Sequence, residues 1–213
     1  MIEIAIGAII VALIFDFVNG FNDSANSVAT VIGTRVLKPI HAVALSAAAN
    51  FAGPFIFGVA VATTISKGIL NPDDVTVYMV IGALAGAIGW SSICTYLGLP
   101  ISNSHSLVGG IMGAGIAVLG FDQLLFGGLE KVLTGIIVAP TGGIIFGFLL
   151  TGLIITVFAN RRPAIINKTF GRLQIISSAW FALTHGANDG QKTMGIIVLI
   201  LFSTGLIPEL EMP

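Results

Sequence analysis

Gly20-Phe21-Asn22-Asp23-Ser24-Ala25-Asn26-Ser27 is a polar island inside an apolar tract, and it returns at an offset of 166 residues as Gly186-Ala187-Asn188-Asp189-Gly190-Gln191-Lys192-Thr193. The self-match reaches upstream of the glycine, where Phe15 falls on Phe181 and Asn19 on His185. A single Gly-x-Asn-Asp carries little weight. Its recurrence at the corresponding place in a second apolar tract ties both copies to one structural purpose.

Outward from the two islands the chain is a series of apolar tracts: Ile2–Val18 continuing into Val28–Ile32, then Ile40–Ile65, Val75–Leu97, Ile101–Leu119 and Val132–Ala159. The last of these is interrupted by Pro140, Gly142 and Gly143, and a sixth tract runs from near Leu173 to near Leu206. Each of the first five approaches or exceeds the ~20 residues needed to cross ~30 Å of hydrocarbon. Mean hydropathy is +1.02 and only 9% of residues are charged, against roughly a quarter in soluble domains. So few charges cannot form the skin of a water-soluble core, and lipid is the expected solvent. The tracts lack the alternation of barrel strands, and backbone groups in hydrocarbon must be satisfied internally. The expected fold is therefore all-α: a polytopic transmembrane helical bundle.

The same composition removes other classes. A net charge of −1 without a basic patch argues against nucleic acid as a partner. Cys94 is the only cysteine, which excludes an intrachain disulfide or a cysteine metal cluster, and its apolar setting reads as an inert thiol. No spacing of Cys, His and carboxylates suggests zinc. His41 reads as interfacial and His105 as structural. The first tract carries Glu3 and Asp16 and lacks a basic start, so it reads as a retained membrane segment, not a signal peptide.

Short polar connections separate the tracts at Gly33–Pro39, Ser66–Asp74, Gly98–Pro100, Gly120–Lys131 and Asn160–Arg172. Taking the tracts before Asn160 as five crossings puts Arg35, Lys38, Arg161, Arg162, Lys168 and Arg172 on one side, and Lys67 and Lys131 on the other. The positive-inside rule then places the basic side in the cytoplasm and the N-terminus outside. Five is odd, so the second island enters the membrane inverted relative to the first. The expected organisation is a first transmembrane repeat over 1–160, then a cytoplasmic linker and the start of a second, inverted repeat over 161–213. Gly82/Gly86, Gly109/Gly113 and Gly143/Gly147 have the small-xxx-small spacing that lets helices pack closely.

Interrupted membrane segments at matching places in two halves mark a transporter's binding site. An intramembrane carboxylate costs at least ~2.5 kcal/mol on insertion scales and usually has a partner, whereas polar side chains acting only as interhelical glue return about 0.6 kcal/mol. A hard cation such as sodium suits Asp23 and Asp189 with the oxygens of Asn26 and Ser27. Broken helices restarting after Gly20 and Gly186 would offer free N–H groups and a positive dipole end to an oxyanion, with Asn22, Asn188 and Thr193 beside it. Lys192 either neutralises Asp189 or meets the anion. A second polar cluster, Leu99-Pro100-Ile101-Ser102-Asn103-Ser104-His105-Ser106, breaks the helix at Pro100 and can cap a new one, which makes Ser102, Asn103 and Ser104 candidate anion ligands.

These residues closely resemble the twin signatures of the PiT inorganic phosphate transporter family, in Gly20-Phe-Asn-Asp-Ser-Ala-Asn-Ser-Val-Ala-Thr30 and His185-Gly-Ala-Asn-Asp-Gly-Gln-Lys-Thr-Met-Gly195. Pro100-Ile-Ser-Asn-Ser-His105 looks like that family's Pro-x-Ser-Thr-Thr-His element. The resemblance covers essentially the whole chain. It implies an inverted-repeat symporter that moves phosphate with sodium or protons, with Asn22, Asp23, Asn188, Asp189, Ser102 and Ser104 lining its site. The chain departs from the family at Asn103, where a small hydroxyl residue is usual, and at Gly190, where Ala is common.

By the same offset, the counterpart of Pro100–His105 would fall near position 266, beyond Pro213, so the chain amounts to about one and a third repeats. It is expected to be a fragment, one product of a split gene, or a subunit that pairs with a copy of itself or a complementary C-terminal chain, and not to transport alone. No tightly bound cofactor is expected, only sodium as coupling ion. The alternatives are a permease for sulfate or another oxyanion, and a non-transporting membrane subunit. An Asp23/Asp189 acid–base dyad fits poorly, because each Asp has an adjacent Asn and no nucleophile–His arrangement accompanies them, so no enzyme is expected.

Overall fold

The structure is a computed structural model that describes residues 1–57, 62 and 68–210. Among the described residues there is no strand. The helices are α1 (Ile2–Gly33), α2 (Pro39–Ile56), α3 (Val77–Tyr96), α4 (Asn103–Leu119), α5 (Phe126–Phe158) and α6 (Pro163–Ser203), with single 3-10 turns at Pro72–Asp74 and Phe121–Gln123. The end of the Ile40–Ile65 tract, the first part of the Ser66–Asp74 connection and Lys67 lie outside the described residues.

Local chemistry sets the helix ends. Pro39 and Pro163 open α2 and α6, where a fixed φ helps and the missing N–H costs nothing. The Thr76 hydroxyl caps α3 by accepting from the Met79 N–H, and Ser102 caps α4 by accepting from the His105 N–H, both at 3.4 Å. α3 stops at Gly98, whose φ of 68° closes a turn in which the Leu99 N–H donates to the Cys94 carbonyl at 2.8 Å. Pro100 follows and keeps the helix from resuming before Asn103.

α1, α2, α3 and α5 are each long and apolar enough to cross a membrane, and α4 is a shorter apolar helix of 17 residues. α5 has no buried residue although it is apolar all round, the pattern of a helix that faces lipid or another membrane segment. The remaining helices form one packed body: α2 lies along α6, α3 along α4, and α1 fits between α6 and α3. Ala5, Ala8, Ala12 and Phe15 recur every three or four residues on the buried side of α1, where they join Leu84, Leu107 and Ile196 of the facing helices in one core.

Three expectations are corrected. The breaks at Gly20 and Gly186 are absent, since α1 and α6 run unbroken through both islands, and α5 likewise continues through Pro140. The chain is interrupted instead at Gly98–Ser102, where a left-handed glycine and a proline act together. The Asn160–Arg172 connection is mostly helix: α6 already begins at Pro163 and is 41 residues long, which at 1.5 Å per residue is about 60 Å. That is about twice the ~30 Å of a hydrocarbon layer. Finally, Gly82, Gly86, Gly109, Gly113, Gly143 and Gly147 have no neighbour among the described residues within 4 Å of a Cβ position. Close packing falls to other glycines. A Cβ on Gly110 would lie 2.3 Å from the Ala83 carbonyl oxygen, and one on Gly186 would lie 2.1 Å from that of Asn50. Which glycine meets a neighbour depends on helix rotation, and spacing alone does not reveal it.

α1 and α6 run antiparallel. Asp16, Asn19, Ser27 and Thr34 of α1 bond Thr193, Asp189, Ser178 and Gln174 of α6, in reversed order. The two islands therefore cross at their own positions, as inversion of the second copy demands.

Candidate functional site

An unbroken helix returns to the same face every three or four residues. On α1 this aligns Asp16, Asn19 and Asp23, and on α6 it aligns His185, Asp189 and Lys192. The two stripes meet where the helices cross. One carboxylate oxygen of Asp23, one of Asp189 and a ring nitrogen of His185 all lie within 4.8 Å of one another. Sequence spacing holds no such metal-ligand set, because α1 and α6 contribute its members from opposite ends of the chain.

His185 links three helices. Its Nδ1 is 3.1 Å from Asn50 Oδ1, and Asn50 spends its amide on the Ser46 carbonyl and hydroxyl at 2.9 and 3.1 Å. The Asn50 oxygen therefore faces His185, and Nδ1 carries the proton that satisfies it. Nε2 then faces Asp189 Oδ2 at 3.2 Å and Asp23 Oδ2 at 3.9 Å. With His185 neutral, three lone-pair acceptors converge on one point, which suits a proton or a cation placed there.

The carboxylates of the cluster are also held from the side. Lys192 Nζ donates to Asp189 Oδ1 at 2.5 Å and to the Ser104 hydroxyl at 2.7 Å. Asn19 Nδ2 donates to Asp189 Oδ2 at 2.9 Å, while Asn19 Oδ1 is buried without a hydrogen-bond partner among the described residues. The Thr193 hydroxyl donates to Asp16 Oδ1 at 2.8 Å. On the other flank, Asn103 Nδ2 donates to Asp23 Oδ2 at 3.4 Å, Asn22 Nδ2 donates to Asn103 Oδ1 at 3.3 Å, and the Thr95 hydroxyl donates to Asn22 Oδ1 at 2.9 Å. A cavity of about 580 Å³ opens beside the cluster, lined by Asp16, Asn19, Ser24, Asn50, His185 and Asp189.

The fold thus gathers Asn22, Asp23, Asn103, Ser104 and Asp189 around the crossing, with Thr193 one bond away through Asp16. It does not gather the rest. Asn26 and Asn188 are exposed. The Ser27 hydroxyl is buried against the Ser46 hydroxyl at 2.6 Å and donates to the Ser24 carbonyl, so it serves the α1–α2 contact. Ser102 caps α4. Sequence reasoning missed Asp16, Asn19, Asn50, Thr95 and His185 as members. The one available signal was the alignment of Asn19 with His185 immediately before the two glycines; both face the same Asp189 oxygen.

Residues 19–166, which include the first island and the α4 cap, match the phosphate transporter family. The chain belongs to that family. Within the phosphate transporter family it is 43% identical over 202 residues to a probable low-affinity inorganic phosphate transporter of Rhizobium meliloti, covering 95% of this chain and 60% of the relative. It is 42% identical over 200 residues to the Bacillus subtilis protein of the same description, covering 93% and 60%. The chain therefore spans about 60% of the length of these relatives. A solved structure described as the sodium-dependent phosphate transporter has the same fold, with a TM-score of 0.85, 24% identity, and coverage of 99% of this chain and 71% of that one.

Proposed function

We propose that this chain serves cation-coupled transport of inorganic phosphate across a cell membrane, with sodium as the coupling ion. The observation that carries the reading is the convergence of Asp23 Oδ2, Asp189 Oδ2 and His185 Nε2 on one point. Asp16, Asp23 and Asp189 outnumber the single ammonium of Lys192, so an oxyanion entering alone would meet net negative charge. A cation bound at the convergence removes that repulsion, and each ligand then favours the other's binding. Oxygen donors predominate around the point, which suits a hard cation.

The phosphate is assigned to the start of α4, where the first N–H groups of a helix and the positive end of its dipole point outward. Asn22, Asn103 and Ser104 stand there, and binding would exchange their present mutual hydrogen bonds for bonds to phosphate oxygens. Asn26, Ser27, Ser102, Asn188 and Thr193 do not touch the convergence point and have at most supporting roles in this reading. The surplus of basic residues at the α1–α2 connection and in the first turns of α6 favours a cytoplasmic location for those ends and an external N-terminus.

The test is binding of radiolabelled phosphate to the purified chain in lipid nanodiscs, varying sodium against choline and pH independently. Binding that rises with sodium, is displaced by arsenate but not by sulfate or molybdate, and is lost in Asp23→Asn is the expected result. Binding indifferent to sodium but dependent on pH would assign the convergence point to a proton. Displacement by sulfate would redirect the reading to another oxyanion. Binding unaltered by Asp23→Asn would overturn it.

A further inference from the structure

The internal repeat places Lys192 on Asn26, so the two copies differ at this position by a full positive charge. Asn26 is exposed on α1 and brings no charge to Asp23, whose side-chain partners among the described residues are Asn103 and His185. Lys192 is only 4% exposed and is bound to Asp189 Oδ1 and Ser104 Oγ. A lysine buried this deeply inside a membrane bundle must remain paired. Its ammonium therefore occupies the position among Asp189 and Ser104 oxygens that a bound cation would take. The orphaned Asn19 Oδ1 is a further oxygen beside the same carboxylate.

We propose that Lys192 is a resident cation: it stands in the second copy of the motif for a coupling ion, so that the site takes one exchangeable cation, centred on Asp23, instead of two. This rests on the cation-coupled reading above. The two aspartates are equivalent in sequence but have different duties. Asp189 is neutralised within the chain, and its free oxygen and His185 only help to hold the ion at Asp23. Twofold sequence symmetry at the motif thereby yields an asymmetric site with a reduced demand for coupling ions.

Equilibrium binding of radioactive sodium to the purified chain in nanodiscs tests this by counting ions per chain. The wild-type chain should bind one, and Asp23→Asn none. Lys192→Asn should bind two, because it frees the oxygens of Asp189 and Ser104, beside which Asn19 Oδ1 already stands unpartnered among the described residues. Adding Asp189→Asn to Lys192→Asn should return the count to one. Two ions on the wild-type chain, or one on a folded Lys192→Asn chain, would overturn the inference while leaving sodium coupling intact. No sodium on the wild-type chain would overturn both readings. If Lys192→Asn alone fails to fold, the double variant decides, since it removes both charges together. One ion, lost when Asp23→Asn is added, supports the inference, and any other count rejects it.

Discussion

Asn19 and Asp189 are 170 positions apart in the chain and 2.9 Å apart in the fold, with the amide nitrogen of one donating to the carboxylate of the other. This bond joins α1 to α6 at the crossing of the two repeated motifs. It also fixes which Asp189 oxygen faces His185 and which faces Lys192. A carboxylate held by an amide on one oxygen and an ammonium on the other has little freedom to reorient, which is what a binding site of defined geometry needs.

Asn19→Leu therefore deprives a buried carboxylate of a donor. The expected loss is about 1–3 kcal/mol of stability, read from chemical unfolding of the purified chain in detergent. Unchanged stability would mean that the Asn19–Asp189 bond contributes nothing to holding α1 and α6 together.

The two motif glycines should respond in opposite ways. A Cβ on Gly186 would meet Asn50 backbone atoms at 2.1 to 2.6 Å, whereas one on Gly20 meets nothing within 4 Å. Gly186→Ala must push α2 away and should cost about 1–3 kcal/mol as an overpacked contact. Gly20→Ala should be neutral, or stabilising by up to about 1 kcal/mol through helix propensity. Thermal unfolding of the two variants side by side gives the comparison, and equal melting temperatures would contradict it.

The residues at the start of α4 separate binding from folding. Asn103 is 1% exposed and bridges Asn22 to Asp23. Loss of a hydrogen bond to a charged group costs about 1.5–3 kcal/mol, so Asn103→Ala should weaken sodium-dependent phosphate binding by roughly ten- to hundredfold. Ser102→Ala removes only the cap and should lower stability by about 0.5–2 kcal/mol, with phosphate affinity changed much less. Phosphate titrations of both variants at fixed sodium distinguish the two effects.

α5 tests the membrane assignment. Phe146 lies near its middle and is 73% exposed. Lysine at the centre of a membrane helix costs about 2.5–3.5 kcal/mol on insertion scales, so Phe146→Lys should sharply reduce insertion in a microsomal glycosylation assay. Insertion at the wild-type level would show that this face of α5 does not meet lipid.

Much of the architecture can be read along the chain because hydrophobic length is a one-dimensional property. The tracts Val75–Leu97 and Ile101–Leu119 differ by only a few residues from α3 and α4, and the caps at Thr76 and Ser102 stand at their helix ends. The islands at Gly20 and Gly186 misled in one respect. Glycine and asparagine weaken a helix by less than about 1 kcal/mol each, and the packing of Gly186 on Asn50 and Gly53 on Leu183 and Ala187 favours an unbroken helix at this crossing. Gly98 and Pro100 together do stop one.

The amino-acid sequence alone determined that this is a helical membrane protein with a repeated, inverted Asn-Asp motif, because apolar tract length, charge scarcity and self-similarity need no third dimension. The tertiary structure alone decided which polar residues meet. Each step along a helix turns the side chain by about 100°, so adjacent residues look in different directions, and the position of the neighbouring helix selects among them. Asp189 is turned inward to His185, Lys192 and Asn19, while Asn188 beside it is exposed.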